Sequence, residues 1–292
     1  MEPERTLLGH VDNEDIDRLR AAIPNGLTED AASLMGQFTN LMQEYRAAIR
    51  AVRTKFETLD EDAKVRLDRN PIHVISTRLK SPQSLLEKLQ RKGFPLTIAS
   101  IRENIYDVAG VRVVCNYLED VNEVAEALLR QDDVTLIERK DYITNPKPSG
   151  YRSLHLVISV PVYLSDKRRE VPVEVQIRTI AMDFWASLEH RLRYKNRAVL
   201  EAHGPDVESI RKRLVICASQ IALIDQSMQQ IQLDIDALRA EQEEALFAEV
   251  ESVCRAEDAA GGPALAGAGE TTEKPCIDGT APRAELPAGQ KS

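Results

Sequence analysis

Residues 141–155 read DYITNPKPSGYRSLH, and residues 171–179 read VPVEVQIRT. Between them runs a stretch of alternating apolar and polar residues, broken by Ser165-Asp166. Alternation of period two predicts strands. They fall at about 134–144, 153–163 and 170–179, with the Ser-Asp pair as the turn between the last two. The first segment gathers Lys147, Tyr151, Arg152 and His155 around a Pro-Ser-Gly turn. The second sets Glu174 and Gln176 on one face of a strand, because side chains two apart point the same way. A cation, an aromatic plate, a histidine and a strand carboxylate held together in this way suggest a nucleotide site.

Working outward, residues 72–80 alternate as a strand. Ser81-Pro82 then opens a helix, with Ser as the cap and Pro at the first helical position. The helix runs to Lys92 and stops at Gly93. A short helix near 98–105 leads to Asp107 and the strand VAGVRVVCNY, in which Val111, Val113 and Cys115 face one way and Arg112, Val114 and Asn116 the other. A helix at about 121–130 follows. Upstream, Leu34, Phe38, Leu41, Tyr45, Ile49, Val52 and Phe56 recur at helical spacing and predict a helix that frays near Leu59. After Thr179 the pattern is helical through MDFWASLEHRLRYK, until His203-Gly204-Pro205. Trp185 in that segment reads as core, since a single Trp on an apolar helix face usually packs. From Ile210 to Leu238 apolar residues recur in steps of four and three, an a/d stripe that suits packing on its own domain or pairing with a second subunit. The expected organisation is a loose arm over 1–28, a domain over 29–200, a C-terminal helix over 205–255 and a disordered tail over 256–292. No internal repeat appears.

The chain has 292 residues, 43% apolar and 29% charged, with a net charge of -9. An acidic balance argues against non-specific nucleic-acid binding by the whole chain. The acidic start lacks a signal-peptide core. No run of 18 apolar residues suggests a membrane span. The four cysteines form no CxxC pair. Cys115 and Cys217 lie in apolar-periodic segments and read as buried free thiols of a cytoplasmic protein.

Residues 78–112 are basic against this background: Arg78, Lys80, Lys88, Arg91, Lys92, Arg102 and Arg112 face only Glu87, Glu103 and Asp107. Such a patch suits an anion such as a triphosphate. Lys88, Arg91 and Lys92 on their own read as a solvated helix face. Arg78, Lys80 and Arg112 lie on or beside strands, where a cation points to water or serves a site. Asp107 and Glu174 are the candidate carboxylate pair for a hard cation. Walker A, GxGxxG and HExxH patterns are absent.

RLKSPQSLLEKLQRKG, DVAGVRVVC, KDYITNPKPSGYRSLH and VEVQIRTIAMDFWASLEHRLRYK, in that order, resemble the RelA/SpoT-type alarmone synthetases, and more narrowly their small single-domain members. The resemblance covers about residues 30–200. It implies an α+β fold, a mixed sheet flanked by helices and similar to the nucleotidyltransferases, with long terminal helices. It also implies a Mg²⁺-dependent GTP pyrophosphokinase that moves the β,γ-pyrophosphate of ATP to the 3′-hydroxyl of GDP or GTP. Residue by residue, Asp107 and Glu174 would hold the metal, with Glu174 acting on the 3′-hydroxyl. Arg78, Lys80, Lys88 and Arg112 would hold ATP. Tyr151 would stack on guanine, with Lys147, His155 and Gln176 around the acceptor. A homotetramer and product activation by (p)ppGpp belong to the same expectation. The manganese-dependent hydrolase of long members is not expected, because no His-Asp pair occurs. Two other readings are a pyrophosphokinase for another acceptor, an adenine nucleotide or a tRNA end, and a non-catalytic RNA- or nucleotide-binding regulator.

Overall fold

The computed structural model describes residues 29–67, 69–195 and 204–259. The predicted arm, the break at His203, Cys276 and all residues from 260 lie outside these. Helix α1 (Glu29–Leu67) carries the predicted apolar stripe, with Leu41, Tyr45, Val52 and Phe56 fully buried. It runs two turns past the expected end. Its polar extension is held by an Arg66–Asp62 pair at 2.8 Å, and the Asp60 carboxylate accepts the Ile72 N–H at 3.0 Å.

Strand β1 (Ile72–Leu79) follows, then helix α2 (Pro82–Lys92). The helix begins and ends as the sequence dictates: Ser81 Oγ accepts the Ser84 N–H, and Gly93 takes a left-handed φ of 71°. Helix α3 (Ile98–Asn104), capped by Thr97, leads into β2 (Ala109–Cys115), helix α4 (Leu118–Leu129) and β3 (Thr135–Asp141). β3 stops three residues short of the expected Thr144. The Asp141 carboxylate ends it by accepting both the Ile143 and Thr144 N–H groups, an Asx turn. β4 (Leu154–Tyr163) and β5 (Arg168–Thr179) form a hairpin whose ladder reaches Tyr163 opposite Arg168, so β5 starts earlier than predicted. Helices α5 (Ile180–Lys195) and α6 (Gly204–Ala259) complete the described chain.

The five strands make one mixed sheet in the order β1-β2-β5-β4-β3. β2 and β5 are parallel; the other neighbours are antiparallel. The fold is thus the α+β architecture expected. Val111, Val113, Val173, Val175, Leu156 and Ile158 point to one face, where α1 and α4 cover them and build the main core. α5 packs against β5 and β2.

Trp185 is buried, as expected, but in a separate small cluster with Ala186 and Ala218. Its indole N–H donates to the Leu214 carbonyl at 3.2 Å, joining α5 to α6. Thr179 Oγ donates to Asp225 at 2.6 Å and fastens the same face of α6. Cys115 is buried, whereas Cys217 is exposed. That corrects the expectation for Cys217, because much of the α6 stripe is uncovered. Ile224, Met228, Ile231 and Ile235 are all exposed. The chain divides into two units, residues 1–236 and 237–292. The described part of the second is the helical stretch up to Ala259, where Leu246, Phe247 and Val250 are exposed.

Candidate active site

The ladder register puts the predicted site residues in two rows across the face opposite the main core. One row runs Arg78, Gly110, Glu174, Val157, Glu138; the next runs Ser76, Arg112, Gln176, His155, Lys140. Residues opposite each other in a ladder share a face, so alternation alone aligns these side chains. Gly110 leaves a gap in the first row between Arg78 and Glu174. Together with the ends of α2 and α3 and the loop after β3, these rows form an open cleft of about 290 Å³. Lys88, Asp107, Lys147, His155 and Glu174 line it directly. Lys80, Gln176 and Tyr151 stand one hydrogen bond behind.

Asp107 Oδ2 receives Lys80 Nζ at 2.8 Å and Lys88 Nζ at 2.6 Å. Lys88 is therefore not part of a solvated face; it reaches across from α2 to the entry of β2. Burial raises the Asp107 pKa, but hydrogen bonds from the two lysines outweigh it, and the carboxyl lies below its ordinary value. Its other oxygen, Oδ1, is buried and without a hydrogen-bond partner among the described residues. Arg78 is exposed on β1. Arg112 meets Asp183 at 3.5 Å, and its Nε is buried without a partner.

The other half is a relay. Arg178 is buried at 4% exposure. It donates to the Tyr151 hydroxyl at 2.5 Å, to Gln176 Oε1 at 2.7 Å and to Asp183 at 3.1 Å. The Tyr151 hydroxyl lies 2.8 Å from His155 Nε2, and His155 Nδ1 lies 3.7 Å from Glu174 Oε1. With Tyr151 accepting from Arg178, its own proton is free to point at Nε2; in that tautomer the imidazole proton sits on Nδ1, facing Glu174. Gln176 Nε2 donates to Glu174 Oε2 at 2.9 Å. Burial raises the Glu174 pKa, yet the His155 and Gln176 contacts prevail and hold it below the ordinary value.

The loop that carries Tyr151 is folded on itself. Pro148 and Ser149 are the centre of a turn closed by Gly150 N–H to Lys147 O at 2.8 Å, with Gly150 at φ 88°. A Cβ on Gly150 would lie 2.5 Å from Ala218 Cβ of α6, so only glycine lets the loop sit there. Lys147 Nζ stands 4.4 Å from the Tyr142 ring centre and 4.9 Å from that of Tyr151, while the Arg178 guanidinium is 5.0 Å from Tyr151.

Sequence reasoning missed Arg178 and Tyr142. Arg178 continues the face of Glu174 and Gln176, two residues on, so the alternation already pointed to it. Tyr142 needed the register, since its ring meets His155 edge-on at 5.2 Å only after the loop closes. Among the described residues no group of three or more His, Cys, Asp or Glu could hold a metal ion by itself.

A family described as a region found in RelA/SpoT proteins matches residues 77–199. GTP pyrophosphokinase YjbM of Bacillus subtilis is 33% identical over 204 residues, which are 70% of this chain and 92% of that one. This chain belongs to the RelA/SpoT family. GTP pyrophosphokinase YwaC of the same organism is 42% identical over 167 residues, 57% of this chain and 80% of that RelA/SpoT relative. Among solved structures, small alarmone synthetase 1 of B. subtilis bound to its product pppGpp superposes with a TM-score of 0.61 at 34% identity, covering 68% of this chain and 98% of that one. The matched RelA/SpoT region contains both halves of the cleft, from Arg78 to Arg178.

Proposed function

We propose that this chain is a GTP pyrophosphokinase, making ppGpp or pppGpp and AMP from ATP and GDP or GTP. The observation that carries the reading is the pairing of two unlike halves in one cleft. A carboxylate held by two lysines stands beside a carboxylate held by a histidine and a glutamine.

Arg78, Lys80, Lys88 and Arg112 bind ATP: Lys80 and Lys88 sit on Asp107, Arg78 stands at the β1 edge of the same row as Glu174, and Arg112 lies on β2 in the next row. Lys147, Tyr151, His155 and Gln176 bind the acceptor. A guanine stacking on Tyr151 moves the Lys147 stem aside and frees its ammonium for the acceptor phosphates. Glu174, kept ionised by His155 and Gln176, takes the proton of the 3′-hydroxyl. The 3′-oxygen then bonds to the β-phosphorus of ATP. The bond from that phosphorus to the bridging α–β oxygen breaks, and AMP leaves with the electron pair. Most of the work is positioning and charge neutralisation.

The residues fit Mg²⁺. Asp107 Oδ1 is a buried oxygen without a partner, Glu174 is the second carboxylate, and magnesium ordinarily takes one or two carboxylates plus substrate phosphates. When bound, the ion neutralises charge on the phosphates as it builds up. Asp107 and Glu174 would hold it.

The exposed stripe of α6 supports a homo-oligomer, a tetramer in this reading, with a cytoplasmic enzyme acting on free nucleotides. Incubation with Mg²⁺, ATP and GDP or GTP tests the function: AMP and the 3′-diphosphorylated acceptor appear together. AMP without a modified acceptor would refute it.

A further inference from the structure

At the end of β5 away from Glu174, a second cavity of about 330 Å³ opens beside α1 and α3. Tyr45, Arg102, Arg168, Arg169 and Glu170 line it. Arg102 is tied to buried Glu44 of α1, and Arg168 pairs with Glu170 at 2.6 Å. The Arg169 side chain makes neither an ion pair nor a hydrogen bond among the described residues, so its charge is left over.

Tyr45 is only 1% exposed, and its hydroxyl is buried without a hydrogen-bond partner among the described residues. Buried polar groups are nearly always partnered, and one left alone destabilises the fold. Burial, partly offset by Arg102, pushes this phenol up to about 12, so it remains an O–H donor under ordinary conditions. The floor of the cavity thus offers a proton donor and its walls offer guanidinium groups. Both nearby carboxylates are already engaged, Glu170 by Arg168 and Glu44 by Arg102. Planar guanidinium forks match phosphate oxygens two at a time. The volume lies at the lower end of ordinary small-ligand sites.

We propose that this cavity binds a small phosphate-bearing anion, independently of the nucleotides in the catalytic cleft. Arg169 supplies the uncompensated charge, and Tyr45 donates to a phosphate oxygen. Neither residue belongs to the rows that hold Glu174 and His155 or to the lysine pair on Asp107.

The test uses the full chain with the cleft filled by saturating GDP and a non-hydrolysable ATP analogue. Inorganic pyrophosphate and AMP are titrated in separate calorimetric arms. At least one arm shows one-to-one binding, which Arg169→Gln weakens tenfold or more and Tyr45→Phe weakens severalfold. Tyr45→Phe also raises the Tm of the ligand-free protein, because no unpaired hydroxyl is then buried. Which arm binds tells a free phosphate from a nucleotide. No binding in either arm, or binding that Arg169→Gln leaves unchanged, overturns the proposal. Arg169 lies outside the cleft, so the result is readable whether or not the chain transfers pyrophosphate.

Discussion

The two halves of the cleft are built by different means. The Asp107 half is electrostatic and long-range: Lys80 follows β1 directly, Lys88 lies on α2, and both converge on the entry of β2. The Tyr151 half is hydrogen-bonded and local. Its residues come from one loop and two paired strands, and the loop rests on α6 through Gly150 and Ala218. The first half depends on fixed charges. The second depends on shape and on which proton sits where. Substitutions should therefore separate the two nucleotides, and only Glu174 should touch both.

The largest effect is expected for Glu174→Gln. It removes the proton acceptor while keeping the side-chain shape, so kcat falls about 100- to 10,000-fold. GDP binding changes little; a loss of GDP affinity as large as the loss of rate would assign Glu174 to binding instead.

Asp107→Asn comes next, with a fall in kcat of about 100-fold and a higher Mg²⁺ requirement. It also alters acid stability. Asp107 has a folded pKa below its ordinary 3.8. Its stabilising contribution is complete above that ordinary value and is lost as pH falls through the lowered one. Denaturant midpoints measured from neutral to acid pH should thus fall more steeply in the wild type than in Asp107→Asn. Parallel curves would deny the ion pairs a role.

Gly150→Ala adds a Cβ against Ala218 at a backbone angle that favours glycine, a strain of about 1–3 kcal/mol. The acceptor KM rises roughly tenfold by that energy, and the ATP KM holds. Equal changes in both would mean that the loop does not belong to one half. Tyr151→Phe is the mildest. It cuts the hydroxyl from Arg178 and His155, worth about 1 kcal/mol, and keeps the ring for stacking. The acceptor KM rises about fivefold by the same energy, again with ATP unaffected.

The same division decided what could be read from the sequence. His155, Glu174 and Gln176 lie in two short segments whose alternation fixes their faces, and Tyr151 follows the Pro-Ser-Gly turn four residues before His155, so their grouping was legible. The start and stop of α2 were legible because Ser81, Pro82 and Gly93 act locally. Lys88 by its own neighbours read as a solvated cation, since its partner is 19 positions away by numbering and meets it only in the folded sheet. The end of α1 was missed for a similar reason: Asp60 and Asp62 find their partners through side-chain contacts that an apolar pattern does not register. Burial of Cys217 was wrongly expected because a heptad stripe says that a face is apolar, not what covers it. Arg178 was within reach of the alternation that found Glu174.

The most direct test of the two-nucleotide cleft follows a label from the γ-phosphate of ATP in the presence of GDP and Mg²⁺. A two-nucleotide cleft places the label on the 3′ position of the acceptor, one for each AMP formed, and Glu174→Gln slows both together by about 100-fold or more. Label released as free phosphate or pyrophosphate, or transfer at an undiminished rate in Glu174→Gln, would contradict it.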